Sequence, residues 1–332
     1  MKRITALSHP LIDVLQPCDF NFLRERGLTA GSYGLLSRSE QDALIHACGP
    51  KTPTLGLGGC ASNALICARQ LAIPCTLLGL AGDDTYGQHL YRQMRRLDIQ
   101  TPLSLVRDGR TGTCLVLSTP DGERTMRTCH GVATLLGPEH TLETAIAASE
   151  WLILEGYFLT ASEKNSTAIT KAIALAKSYG TKIALSVGAE FVVHAKRDVI
   201  RQEILPLIDL IFANAAEAMR LTETSSPQSA ITTLSKLLPS VIVTNGKHGA
   251  FGWMNNRQWH TPAFPSEGQV LNTTGAGDIF AGAFLAGLMK DLTPENSARG
   301  AARLASMIIT HHEAQLGSDA KLAWEAATTV AA

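Results

Sequence analysis

The sequence predicts an α/β fold built on a central, mainly parallel sheet, and three observations carry that expectation. From Cys75 onward, short β-rich runs alternate with longer helical ones, the pattern of a sheet covered by helices. Near the end, Asn272-Thr273-Thr274-Gly275-Ala276-Gly277-Asp278 opens the apolar run Ile279–Leu288, a glycine turn leading into a buried helix. Two regions, residues 10–35 and 101–130, break the alternation and read as one small sheet outside the main layers.

Taken in order, Ser8-His9-Pro10-Leu11-Ile12-Asp13-Val14 follows an N-terminal β-like run. Leu55-Gly56-Leu57-Gly58-Gly59-Cys60-Ala61 is a glycine-rich loop, with Pro50 and Pro53 upstream arguing against a buried strand. Strands are expected at Cys75–Leu80, Trp151–Leu154, Lys182–Val187, Leu210–Ala213 and Ser240–Thr244. Helices are expected at Tyr86–Leu97, Glu163–Tyr179, His194–Leu205 and Pro227–Leu237, where apolar residues return every three or four positions. Thr113–Ser118 and Glu123–Thr128 flank the turn Thr119-Pro120-Asp121-Gly122, which predicts a half-buried hairpin projecting from the core. No internal repeat, low-complexity tract or linker appears, so one domain over residues 1–332 is expected, with the small sheet as a layer upon it.

Composition narrows the partners. Lys plus Arg number 29 and Asp plus Glu number 29, so the chain is neutral and offers no basic stripe for nucleic acid. Seven cysteines without a Cys-x-x-Cys pair suggest neither a disulfide framework nor a zinc site, which fits a reducing, cytoplasmic setting. Met1-Lys2-Arg3 resembles a signal-peptide start, but His9, Pro10 and Asp13 interrupt the apolar stretch that should follow. The longest apolar run, Ile279–Met289, falls short of the roughly 18 to 20 residues of a membrane span. A soluble protein without a membrane partner is expected.

The chemistry concentrates at the glycine turn. Gly275, Ala276 and Gly277 leave the backbone bare where a helix begins, so free N–H groups and the positive end of the helix dipole point at one small volume suited to an anion. Asp278, in the first turn, sits beside that anion and is placed to take a proton from an attacking hydroxyl. An acidic residue in a helix start after a glycine loop gives the same local pattern with no chemistry. Asn214 and Glu217, three apart at the start of a helix, share a face at the carboxyl end of the strand Leu210–Ala213. Glu217 suits Mg²⁺ held through water, and an ordinary Asn/Glu helix cap is the alternative. Thr244-Asn245-Gly246-Lys247-His248-Gly249 is either a nucleotide-cradling turn or a plain strand connection. Gly56, Gly58 and Ala61 also fit a dinucleotide fingerprint with Asp83 downstream, a weak signal without a buried strand before it.

These landmarks together resemble the PfkB (ribokinase-like) family of carbohydrate and nucleoside kinases. Asn272–Asp278 resembles the family's C-terminal signature, Gly58-Gly59 with Asn63 its sugar-binding loop, and Gly82-Asp83-Asp84 with Gly87 its next loop. Asn214-Ala215-Ala216-Glu217 is similar to its Asn-x-x-Glu motif, and Thr244, Gly246 and Gly249 to its nucleotide-side turn. The order is the family's and the landmarks span nearly the whole chain. The resemblance implies a ribokinase-like three-layer sandwich with a small β lid near residues 10–35 and 101–130. It also implies ATP and Mg²⁺, a catalytic Asp278 with the Gly275–Gly277 amides, and a sugar held by Asp13, Gly58, Gly59 and Asn63. Asn214, Thr244, Gly246, Gly249, Gly275 and Gly277 would serve the nucleotide, and Glu217 the metal.

Within the family, Asp121–Met126, Leu154–Phe158, Phe212–Asn214 and the opening around Asp19, Phe22-Leu23, Gly27-Leu28 and Gly31-Ser32 resemble the adenosine-kinase-like subgroup. Ser8-His9 departs from the family's Gly-Asn, and His9 is expected to pack locally. Ser186-Val187-Gly188 departs from the subgroup's Ser-Asp-Pro. Asn272 replaces the first Asp of the signature and loses a charge, which weakens the monovalent-cation (K⁺) site implied beside this loop. The expected activity is ATP-dependent phosphorylation of the primary hydroxyl of a ribose-containing substrate, the 5′-hydroxyl of adenosine. The alternatives are a PfkB-type kinase of a free sugar or another nucleoside, a catalytically degenerate nucleoside- or sugar-binding protein, and a dehydrogenase. The expected partner is a small-molecule nucleoside or sugar, and the chain a monomer or homodimer.

Overall fold

The computed structural model describes residues 2–49, 52–103, 105–271, 273–311 and 315–329. In chain order its strands are β1 (Ile4–Leu7), β2 (Leu11–Pro17), β3 (Tyr33–Leu35), β4 (Thr54–Gly58), β5 (Cys75–Leu78), β6 (Ile99–Gln100), β7 (Gly112–Ser118), β8 (Arg124–Cys129), β9 (Trp151–Glu155), β10 (Lys182–Ser186), β11 (Leu210–Asn214), β12 (Ser240–Thr244), β13 (Ala250–Met254) and β14 (Arg257–Thr261). The main sheet runs β14-β13-β12-β11-β10-β9-β1-β5-β6, parallel from β12 to β6, with β13 and β14 added antiparallel at one edge. Parallel strands are buried on both faces, which is why β1, β5 and β9 read as continuous runs of buried residues without alternation.

The principal helices are α1 (Cys60–Gln70), α2 (Thr85–Arg96), α3 (Glu163–Tyr179), α4 (Glu190–Val199), α5 (Ala215–Thr222), α6 (Pro227–Leu234), α7 (Ala276–Met289) and α8 (Pro294–Ile308). One core joins a sheet face to α1, α2, α7 and α8; the other joins the opposite face to α3 through α6. The expected three-layer α/β architecture is therefore present, together with a second sheet ordered β3-β8-β7-β2-β4. Among the described residues no helix is long and apolar enough to cross a membrane.

Three local readings need correction. Thr54–Gly58 is a strand, β4, not a loop. It lies at an edge of the small sheet, antiparallel to β2, where Pro53 just before the strand costs no ladder bond. That placement also removes the dinucleotide reading, since Gly56 and Gly58 belong to this sheet and not to a parallel strand–turn–helix unit. Second, α4 starts at Glu190, four residues before the expected His194, and runs on as a π turn through Ile204. Its start is hard to read because Ala189 offers no side-chain cap and Val192-Val193 favour extended backbone. Third, β7 is buried along Gly112–Leu117 instead of alternating. Gln41, on the helix Arg38–Ala47, covers it and donates to the carbonyls of Thr113 (3.1 Å) and Arg127 (2.8 Å).

One helix contact fixes the functional geometry. A Cβ on Gly282 would lie 2.1 Å from the Ala64 carbonyl oxygen, so α7 and α1 touch backbone to backbone only because this position is glycine. One turn earlier on α7 stands Asp278, and beside Ala64 stands Asn63.

Candidate active site

Gly275 caps α7 in the left-handed region at φ +82°, a conformation that suits glycine. A Cβ on Gly277 would meet nothing within 4 Å, so the backbone there faces open space. Ala276 N–H contacts the Thr273 carbonyl at 3.3 Å, a long bond that an incoming anion can replace. Asn272 lies outside the described residues, and with it the expected weakening of a K⁺ site.

Asp278 accepts from the Asn63 amide, Nδ2 to Oδ2, at 3.1 Å. Burial pushes its carboxyl up to about 7; the Asn63 amide and the Cys60 thiol oppose the shift, while Glu155 and Glu217 add to it. Asn63 is itself 5% exposed and its Oδ1 has no hydrogen-bond partner. Such an acceptor is costly unless a ligand donor reaches it.

The residues read as a sugar loop lie on β2, β4 and the start of α1. Asp13 faces inward from β2, in one cross-strand row with Cys114 and Thr128. Burial lifts its carboxyl to about 7, with Arg124 opposing. A Cβ on Gly59 (φ +97°) would lie 2.3 Å from the His9 carbonyl oxygen, so close approach dictates that glycine, while one on Gly58 would lie 2.4 Å from Asp13 Oδ1 and force the Asp13 side chain to move. Asp84 caps α2 and accepts from Gly87 N–H (2.8 Å) and from the Thr111 N–H (2.9 Å) and hydroxyl (2.6 Å), tying the Gly82–Gly87 loop to the start of β7.

At the carboxyl ends of β11 and β12 lie the residues read as nucleotide-side. Asn214 and Glu217 form a reciprocal capping box, each backbone N–H bonded to the other's side chain at 2.9 Å. The plain helix cap is thus realised, but Glu217 is also 4% exposed and burial raises its carboxyl to about 7. It lies close enough to Asp278 for the two charges to interact. Gly249 (φ +82°) is glycine because a Cβ would fall 2.0 Å from the Thr261 carbonyl oxygen; at Gly246 a Cβ would meet nothing within 4 Å. Among the described residues no group of three or more His, Cys, Asp or Glu could hold a metal. Glu217 alone suits an ion that keeps its waters and leans on phosphate oxygens, as Mg²⁺ does.

Several residues here escape a reading of the sequence. Glu155, at the end of β9, is 1% exposed beside Asp278; in the sequence it lies in the subgroup-like run Leu154–Phe158, which gave it no role in the site. Tyr33 of β3 stacks on Phe191 of α4 (5.4 Å, 12°), and Phe191 meets Tyr157 (5.8 Å, 50°), whose hydroxyl donates to the Gly188 carbonyl at 2.9 Å. Nothing local links these three aromatic residues. His9 packs locally: its ring stacks on Phe158 at 4.0 Å and its Nε2 lies 3.1 Å from Asn165 Oδ1.

The sequence profile described as pfkB family carbohydrate kinase matches residues 45–321. The chain belongs to the PfkB family. It is a kinase, and PfkB kinases use ATP with Mg²⁺. An adenosine kinase of Saccharomyces cerevisiae is 26% identical over 314 residues, covering 89% of this chain and 91% of its own. A ribokinase of Staphylococcus aureus is 25% identical over 240 residues, covering 70% and 75%. The structure of adenosine kinase from Sinorhizobium meliloti superposes with a TM-score of 0.89 at 26% identity, covering 98% of this chain and 99% of that one. These likenesses place the chain among adenosine-kinase-like PfkB members, acting on a sugar or nucleoside.

The carboxyls give this PfkB kinase a pH signature. Asp13, Glu155, Glu217 and Asp278 each stand at about 7 when folded, against about 4 in an unfolded chain. A raised carboxyl pKa adds stability below its unfolded value and loses it as pH rises through the folded value. His9, driven down to about 3 by burial, works the other way, but only below its unfolded value of about 6.5. Between roughly pH 6.5 and 8.5 the carboxyls dominate, so Tm of the ligand-free protein should fall across that window. Asp278→Asn should flatten the slope; a parent Tm that rises from pH 6.5 to 8.5 contradicts the assignment.

Proposed function

We propose that this kinase transfers the γ-phosphoryl group of ATP to the 5′-hydroxyl of adenosine or a closely related ribonucleoside. The observation that carries the chemistry is the α1–α7 joint, which sets Asp278 against Asn63 at the mouth of a bare glycine turn. Asp278 removes the hydroxyl proton as the oxygen attacks the γ-phosphorus; the bond to the bridging oxygen breaks and ADP leaves. The backbone of Gly275, Ala276 and Gly277, at the positive end of α7, faces the charge on the transferring group. Mg²⁺ when bound neutralises phosphate charge, and Glu217 would hold it through water. Asn214 keeps Glu217 in place through the capping box, and Thr244, Gly246 and Gly249 would cradle the nucleotide.

Asp13, Gly58, Gly59 and Asn63 would hold the ribose, offering a carboxylate, an amide and bare backbone to its hydroxyls. A nucleoside is favoured over a free sugar by the half-buried aromatic wall of Tyr33, Tyr157 and Phe191, which suits a planar base. The small sheet carries both Asp13 and Tyr33 and would act as a lid over the acceptor. ADP release coupled to a reporter, with Mg-ATP and a panel of nucleosides and sugars, tests the reading. Acceptor-dependent release led by adenosine is expected. No release with any acceptor would leave a binding protein on a kinase fold.

Glu217→Gln should raise the Mg²⁺ concentration needed for half-maximal rate by roughly 10- to 100-fold, the loss typical when a water-mediated metal partner is removed. Asn214→Ala should act in the same direction and more weakly, since it loosens the Glu217 side chain. If both variants titrate with Mg²⁺ like the parent, the pair is a helix cap and nothing more.

A further inference from the structure

The turn between β1 and β2 carries Ser8 and His9. The same turn must hold two acceptor elements in register: Asp13 on β2, and the Gly59–Asn63 start of α1, which packs directly on the His9 carbonyl. Nothing in the proposed chemistry uses Glu155, yet its carboxyl reaches both the β1–β2 turn and the first turn of α1. Oε1 accepts from the Ser8 hydroxyl at 2.5 Å and from the Ala61 N–H at 2.7 Å, while Oε2 lies 3.3 Å from the His9 N–H. The Ser8 hydroxyl lies 2.9 Å from that of Ser62, adding a second tie to α1.

We propose that Glu155 is a positioning residue, a buried clamp that fastens the β1–β2 turn to the first turn of α1 and so sets the spacing of the acceptor loop. A charged group at 1% exposure persists only where donors compensate its desolvation, and here three donors come from two separate segments. Ser8 is part of the device: its hydroxyl supplies a donor that a glycine there lacks. Burial raises the Glu155 carboxyl to about 7, with Ser8, Ala61 and His9 opposing, in keeping with a group whose donors only partly offset its desolvation. The clamp acts through Asp13, Gly59 and Asn63 and rests on the reading that these residues hold the acceptor; it does not depend on which acceptor wins.

The test is Glu155→Gln in the full-length enzyme, assayed with its best acceptor and with Mg-ATP. The amide keeps the volume but turns an N–H₂ toward one set of donors, so the KM for the acceptor should rise on the order of tenfold or more, with the KM for Mg-ATP within about twofold of the parent. Ser8→Ala should raise the acceptor KM less, and its effect should vanish in the Glu155→Gln background, because both substitutions break one connection. Should Glu155→Gln fail to fold, Ser8→Ala carries the same selective expectation. Equal rises in both KM values, or an acceptor KM that does not move, overturns the clamp. Asp13→Ala run alongside separates the two ideas: if it leaves acceptor KM unchanged, the acceptor-loop reading fails; if it raises KM while Glu155→Gln does not, only the clamp fails.

Discussion

Asp278→Asn should lower kcat by roughly 10²- to 10⁴-fold while leaving acceptor affinity nearly unchanged, the signature of a lost general base. The substitution keeps size and can keep the contact with Asn63, now 3.1 Å away, but removes the carboxylate assigned to take the hydroxyl proton. The surroundings fit that task. Burial holds the carboxyl at about 7, so near neutral pH it is a stronger base than an ordinary carboxylate, with about half of it ionised and able to accept a proton. Rapid-quench measurement of the phosphoryl-transfer step would show the loss directly. A variant that keeps most of its turnover sinks the assignment of Asp278.

Adenosine should outperform 2′-deoxyadenosine by up to about 10⁴- to 10⁵-fold in kcat/KM, because a site built to bond a hydroxyl leaves buried polar groups unpaired when the hydroxyl is missing. Asp13 is the partner that would be stranded: its carboxyl is already raised to about 7 by desolvation, and it lies against Gly58, where a Cβ would fall 2.4 Å from its Oδ1. Asp13→Ala should therefore shrink the ratio by slowing adenosine much more than the deoxy analogue. A ratio that survives Asp13→Ala places the hydroxyl elsewhere.

The part of the site set by local backbone physics was legible in the sequence. Gly275-Ala276-Gly277-Asp278 announces a bare helix start whatever the rest of the chain does, and Asn214 with Glu217 announces a helix start after a strand. The parallel core was legible for a similar reason, since strands buried on both faces leave continuous apolar runs. What stayed hidden depends on long-range placement. Glu155 meets Ser8, His9 and Ala61 across some 94 to 147 residues of sequence, and Tyr33 finds Phe191 only once the small sheet is folded over the cleft. Asn63 read as a sugar ligand, and its bond to Asp278 follows from Gly282 letting two helices touch. One signal was present and unused: Asn255 and Asn256 both adopt positive φ, the turn chemistry of the β13–β14 hairpin.

A single competition experiment tests whether one cleft joins an Asp278 phosphotransfer centre to a ribose and base site. kcat/KM should be determined with Mg-ATP for adenosine, 2′-deoxyadenosine, inosine, ribose and fructose. Adenosine should come first, the deoxy analogue far behind it, and the free sugars last, since they cannot use the wall of Tyr33, Tyr157 and Phe191. Ribose or fructose winning that comparison would contradict the nucleoside assignment and move the enzyme to the sugar-kinase branch of its family.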